Sequence, residues 1–139
     1  MDREKFNMDF IYSELNNRNC YQEIVYNKCE CDVINIFRGT TPKFIFTLPN
    51  SITIDDILNV ELVFTQNNEI IIAKKLGDFT TSNNQLTITL TQEDTLKLKG
   101  NSPLYYQIKV LLNDESVITS DIITNMVYNS LSESVLTNE

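Results

Sequence analysis

The sequence predicts an all-β domain, a sandwich of about seven strands. Three observations carry that expectation. Apolar residues alternate with polar ones over most of the chain. Leu86, Ile88 and Leu90 interleave with Thr87, Thr89 and Thr91, and Tyr106, Ile108 and Val110 with Gln107 and Lys109. A period of two puts such residues on opposite faces of a strand, one buried and one wet. These runs recur at intervals of about 8–12 residues with turn residues between them. Segment 36–47 contains two β-type runs joined by a turn that holds Gly39 and Pro42, with Phe44 and Phe46 two apart on one face. Glycine accepts positive φ and proline removes a donor, so they punctuate strands.

Taken in order, residues 1–31 read differently from the rest. Met8, Ile11, Tyr12 and Leu15 fall at i, i+3, i+4 and i+7, the stripe of an amphipathic helix. Asp2 is placed to cap its start and Asn16-Asn17-Arg18-Asn19 to end it. From Tyr21 to Tyr26 the chain reads as extended. So short a helix is marginal alone and needs a partner surface. That surface is either the domain's own open sheet edge or another subunit. On the second alternative Met8, Ile11, Tyr12, Leu15, Tyr21 and Tyr26 are assembly contacts.

The strands expected after Asp32 are 33–37, 43–48, 58–66, 69–74, 85–90, 104–112 and 116–128, the last one broken. Asn67-Asn68 between two β-type runs is a two-residue hairpin signal, since Asn tolerates the left-handed region. Asn113-Asp114-Glu115 is a second hairpin turn. Thr91-Gln92-Glu93-Asp94 is close to a capping box and opens a short helical turn, with Gly100 placed to stop it. Thr53 leads Asp55-Asp56 into a similar turn. Residues 76–84 form the longest polar loop, and 129–139, rich in Ser, Asn and Glu, read as a loose tail. The organisation expected is therefore an arm or short helix at 1–31, an Ig-like antiparallel β-sandwich at 32–128, and a C-terminal tail at 129–139. Its core draws on Phe37, Phe44, Phe46, Leu62, Phe64, Ile71, Leu86, Ile88, Leu90, Tyr106, Ile108 and Val110. A partly closed barrel is the competing architecture.

Composition narrows the function classes. The chain has 139 residues and a net charge of −8, with six acids to four bases up to residue 31 and thirteen to seven beyond. The acids are scattered rather than arranged in a stripe, which reads as a solvated surface. No Lys/Arg cluster exists beyond Lys74-Lys75 and Lys97/Lys99, so nucleic acid is not an expected partner. No apolar run is long enough for a membrane span. The N-terminus is charged in both signs and lacks a signal-type apolar segment. With an odd set of cysteines, Cys20, Cys29 and Cys31, this favours reduced thiols in a cytosolic compartment.

Catalytic signals are sparse. There is no histidine, so the usual general base and the commonest metal ligand are missing. Three cysteines fall one short of a closed zinc site unless a carboxylate such as Glu30 or Asp32 joins them. The acidic pairs Asp55-Asp56, Glu93-Asp94 and Asp114-Glu115 sit at turns and helix starts, where carboxylates serve the backbone. Only three glycines are present, and they form no phosphate-binding loop. No cofactor is expected. Tyr12, Tyr21, Tyr26, Tyr105, Tyr106 and Tyr128 are the material for a sugar- or protein-binding surface. A binding or structural module is expected rather than an enzyme.

Several phrases resemble a known group. Ile36-Phe37-Arg38-Gly39, then Phe44-Ile45-Phe46-Thr47-Leu48-Pro49, lead into Val60-Glu61-Leu62-Val63-Phe64-Thr65-Gln66. The longest match is Leu86-Thr87-Ile88-Thr89-Leu90-Thr91-Gln92-Glu93-Asp94-Thr95-Leu96-Lys97-Leu98. Tyr106-Gln107-Ile108-Lys109-Val110 and Val117-Ile118-Thr119-Ser120-Asp121-Ile122 follow. This pattern, over residues 33–128, resembles small proteins of the tail modules of phages and prophages of Gram-positive bacteria, and is similar to the N-terminal domains of upper baseplate proteins. The resemblance implies a structural component of a phage tail or tail-like particle, in the baseplate or at a fibre attachment point. It implies other tail or baseplate proteins as partners, a homo-oligomer or ring, and a place in the virion after synthesis in the bacterial cytoplasm. It carries no catalytic residues. A likeness to the E–F region of immunoglobulin variable domains stops at Asp94, because no Tyr-x-Cys follows at the required distance. The alternatives are an acidic phage-encoded inhibitor of a host defence protein, motivated by charge and size, and a carbohydrate-binding module, motivated by the tyrosines.

Overall fold

A computed structural model describes residues 10–15, 18–23, 28–29, 35–82 and 84–138. In chain order the strands begin with β1 (Phe10–Leu15), β2 (Arg18–Glu23), β3 (Lys28–Cys29) and β4 (Asn35–Phe37). Then come β5 (Lys43–Thr47), β6 (Ile57–Gln66), β7 (Glu69–Lys75), β8 (Thr80–Ser82) and β9 (Gln85–Thr89). A single turn of helix, α1 (Gln92–Leu96), precedes β10 (Ser102–Leu112), β11 (Val117–Thr119) and β12 (Ile123–Tyr128). One sheet has the order β3-β2-β1-β5-β9-β8, and the other β4-β12-β10-β6-β7 with β11 beside β10. The run β1-β5-β9-β8 opposite β12-β10-β6-β7 is the A-B-E-D opposite G-F-C-C′ order of variable-type immunoglobulin sandwiches. Among the described strands pairing is antiparallel with one exception, since β4 runs parallel to β12 with Ile36 beside Val127.

The core lies between the sheets and is built by period-two burial. Leu104, Tyr106, Ile108, Val110 and Leu112 of β10 are buried in sequence, as are Leu62 and Phe64 of β6 and Phe44 and Phe46 of β5. Phe44, Phe64 and Tyr106, one from each of three strands, form a ring triad with centroids 5.7, 5.4 and 5.1 Å apart. Immunoglobulin domains hold this place with a disulfide and a Trp. This chain has no Trp and no Cys beyond residue 31, so packed rings join the sheets instead. Burial pushes the Tyr106 phenol well above its ordinary value of 10.0 and keeps it neutral.

Two of the twelve expected core positions are displaced by one residue. Ile36, not Phe37, is the buried residue of β4, while Phe37 lies half-buried against Tyr128 with ring centroids 5.8 Å apart. Ile72, not Ile71, is the buried residue of β7. The β6–β7 ladder steps from Thr65 opposite Ile70 to Phe64 opposite Ile72, so Ile71 is the extra residue of a β-bulge. The turn before it follows the sequence, with Asn67 and Asn68 both at positive φ (53° and 64°).

The N-terminal helix expectation is overturned. Phe10–Leu15 is a strand that pairs with β2 on one side and with β5 on the other. Its apolar spacing also suits a hairpin, and aromatic and β-branched residues favour strands. A ladder on both sides satisfies backbone groups that an isolated helix of this length would not stabilise. Met8 and Tyr26 lie outside the described residues. The polar loop at 76–84 is likewise more ordered than expected. Leu76–Asp78 is a 3₁₀ turn, and β8 pairs with β9. Residues 130–138 are non-regular but tied down. Arg38 forms an ion pair with Glu133, the Ser130 hydroxyl donates to Arg38 O (2.6 Å), and the Gln92 side chain exchanges two hydrogen bonds with the Leu136 backbone (2.8 and 3.0 Å).

Candidate interaction surface

The outward-facing positions of β6 and β10 are set by the same alternation that fills the core. Their register places Thr65 opposite Tyr105, Val63 opposite Gln107, Glu61 opposite Lys109 and Asn59 opposite Leu111. β7 adds Ile70 beside Thr65, Ala73 beside Val63 and Lys75 beside Glu61. On the far side of β10, Thr124 lies beside Tyr105, Thr119 beside Lys109 and Val117 beside Leu111. The outer face of this sheet is therefore a grid. One row across the strands carries Lys75, Glu61, Lys109 and Thr119 in alternating charge. Apolar groups lie to either side of that row.

Several of those groups are open to solvent. Ile70 is 65% exposed, Ile122 64%, Val117 54% and Tyr105 42%. Ile70, Tyr105 and Ile122, with Val63, Thr65, Glu61, Gln107 and Lys109, border a shallow hollow of about 320 Å³. Leu58, also exposed, is the extra residue where the β6–β10 register shifts at Leu111 and Leu112. Large exposed apolar side chains set close together among polar ones are the composition of a binding surface, with Tyr and Ile as anchors and charges for orientation.

The surface rests on a rigid frame. At the end of β6 the buried Gln66 bonds both backbone groups of Lys99, accepting from its N–H (2.7 Å) and donating to its C=O (3.0 Å). This clamps the connection between α1 and β10 to β6. At the N-terminus of α1 Thr91 and Asp94 form the expected capping box, each side chain accepting the other's backbone N–H at 3.0 Å. Lys74 of β7 reaches across to Asp94 at 3.0 Å. Burial alone would raise the Asp94 pKa. The Thr91 hydrogen bonds and the Lys74 ammonium outweigh it, and the carboxyl is held below its ordinary value.

The residues singled out in the sequence fare unevenly. Ile11, Tyr12 and Leu15 fall on β1 and Tyr21 on β2, in the sheet opposite the exposed face. The ladder sets Tyr12 between Tyr21 and Ile45, and Ile11 between Gln22 and Phe46. The five described tyrosines are not one patch. Tyr106 is in the core, Tyr105 on the outer face, Tyr128 beside Phe37, and Tyr12 and Tyr21 in the other sheet. The carboxylates at the turns serve the backbone. Asp56 accepts from Thr53 N–H and Asp114 from Ser116 N–H, each at 3.0 Å, and Asp78 from Lys75 N–H at 2.9 Å. Among the described residues no three His, Cys, Asp or Glu side chains gather as a metal site. No described helix is long and apolar enough to cross a membrane. Sequence reasoning did not single out the outer face of β6, β7 and β10. Ile70, Val117 and Ile122 each look ordinary alone, and only the strand pairing makes them neighbours.

No family model matches the sequence, and no curated protein matches it significantly. The described residues form an all-β sandwich with one partly apolar sheet face left open.

Proposed function

We propose that this protein is a structural adaptor of a phage tail or phage tail-like particle, acting in the baseplate or at a fibre attachment point by subunit–subunit binding. The observation that carries the reading is the outer face of β6, β7 and β10, where Ile70, Tyr105, Val117 and Ile122 stand exposed around a row of alternating charges. Such a face suits association better than chemistry. It is shallow, it exposes large apolar side chains on either side of a charged row, and its charges fix register. The phrases in residues 33–128 that resemble tail-module proteins form the strands of the sandwich itself, so the resemblance and the surface belong to one unit. Mass spectrometry of purified particles from the producing bacterium tests the reading. The protein is expected at a fixed copy number well below that of the tail-tube protein. Its absence from particles, with the protein free in the cell, overturns it.

A further inference from the structure

We infer that the open sheet face binds a second copy of this chain, in a two-fold dimer whose axis runs along the strands between β6 and β10. The inference rests on the adaptor reading for the premise that this face is an interface, and it names the occupant. Charge complementarity points to that occupant. Glu61 and Lys109 are direct register partners on adjacent central strands. A two-fold axis lying in the interface between those strands exchanges β6 for β10. It sets Glu61 over the partner's Lys109, and Lys109 over the partner's Glu61. The same operation places Lys75, on the outer side of Glu61, over the partner's Thr119. No like charges of that row meet. An axis centred on β6 itself would bring Lys75 onto the partner's Lys109, and one between β6 and β7 would pair Glu61 with Lys75 but leave Lys109 and Tyr105 of β10 beyond the partner's edge strand, so the axis between β6 and β10 is the one that pairs the charges and covers the face.

The apolar groups obey the same operation. Thr65 comes over the partner's Tyr105, and Val63 over the partner's Gln107. Ile70, beside Thr65, comes over the partner's Thr124, which lies beside Tyr105. Each chain thus covers the other's exposed Tyr105 and Ile70 with Thr65 and Thr124, as an isologous interface requires. Sheets packed face to face keep their strands within about 30° of each other, which leaves the central pairs in register. The area suffices. Four strands at about 4.8 Å spacing and about 33 Å of strand give a face on the order of 650 Å², near the roughly 800 Å² per partner of a standard interface. A net charge of −8 opposes self-association in general, so a row in which every acid meets a base is what a dimer of this chain needs.

Sedimentation velocity of the full-length protein over a concentration series tests the inference. The wild type is expected to pass from monomer to dimer as concentration rises. Glu61→Lys and Lys109→Glu each place two like-charge contacts in the dimer and are expected to weaken it at least about tenfold. The two variants mixed together restore both contacts in a heterodimer, although each chain keeps its own altered cross-strand neighbours. Recovery of dimer in the mixture therefore supports the intermolecular pair and not an effect within one fold. A wild type that stays monomeric at every concentration, or a mixture of folded variants that stays monomeric, overturns the inference. If either reversal fails to fold, Tyr105→Thr and Ile122→Ser take its place. An unchanged dimer in both then overturns the assignment of the face. Particle content separates the two readings. A monomer found in particles removes the dimer alone, and a dimer absent from particles removes the adaptor alone.

Discussion

On β10, Leu104, Tyr106, Ile108, Val110 and Leu112 are buried to within 3% exposure, while Tyr105 and Lys109 between them face outward and are exposed. The inner face is fixed by packing against β5 and β9, so its residues answer to volume and shape. Among the described residues the outer face is open to solvent, so its residues answer to charge order and to apolar groups left open. The same strands carry both, and a substitution should act on stability or on association according to its parity. The largest effect is expected of Phe64→Ala. Phe64 is fully buried and meets the rings of both Phe44 and Tyr106. Its removal is expected to cost about 3–5 kcal/mol through lost transfer energy and a cavity. Urea unfolding measures it, and a cost below about 1 kcal/mol would mean that the sheets do not join through this triad.

Gln66 tests whether the inner face tolerates a polar group because that group is fully paired. It is 1% exposed and its amide satisfies both backbone groups of Lys99. Gln66→Ala leaves that donor and acceptor without the clamp and is expected to destabilise by about 2 kcal/mol. The same measurement checks it. An equal loss in Gln66→Leu, which keeps most of the volume, would assign the effect to the hydrogen bonds.

The Lys74–Asp94 pair gives a smaller effect with a pH signature. The folded-state pKa of Asp94 is below its ordinary value of 3.8. A depressed carboxylate adds stability that is present above the unfolded pKa and is lost as pH falls through the folded one. The wild type is therefore expected to lose stability below about pH 4, beyond the loss seen in Asp94→Asn. At neutral pH that variant retains an oxygen that can cap Thr91 but lacks the charge facing Lys74, and about 1 kcal/mol is expected to be lost. Urea midpoints for both proteins from neutral to acid pH measure the difference. Curves that stay parallel over the whole range would remove Asp94 as a contributor.

Local chemistry explains which parts of this fold were legible in the sequence. The β6–β7 turn was readable because both of its residues had to accept positive φ and both are Asn. The α1 cap was readable because hydroxyl and carboxylate stand three residues apart. The phase of β7 was not, since Ile70-Ile71-Ile72 offers no alternation and the bulge takes the middle residue. The strand β1 was hidden for another reason. Its spacing fits a helical stripe, and β5, the partner that decides the matter, begins 28 residues after it ends. The tail has the same character, for Arg38 and Glu133 are 95 positions apart. The exposed face was least visible, because it is a property of neighbours across four strands and not of any segment.

The smallest expected effect is the one that separates the two faces most cleanly. Tyr105→Thr lies next in sequence to the core ring Tyr106 and opposite Thr65 in the ladder. Threonine keeps β propensity, the backbone hydrogen bonds remain, and the replaced ring is 42% exposed in the isolated chain. The stability change of the monomer is therefore expected within about 0.5 kcal/mol, as for other surface substitutions. Thermal unfolding at a concentration low enough to hold the chain monomeric measures it. Repeating the scan at high concentration adds the second half of the test. Association stabilises the folded state by mass action, so the wild type should gain thermal stability with concentration. Tyr105→Thr should gain less, because the ring is absent from the centre of the paired faces. A large loss at low concentration would show that the outer face also contributes to the fold of the single chain, and that parity along β10 does not divide the two roles.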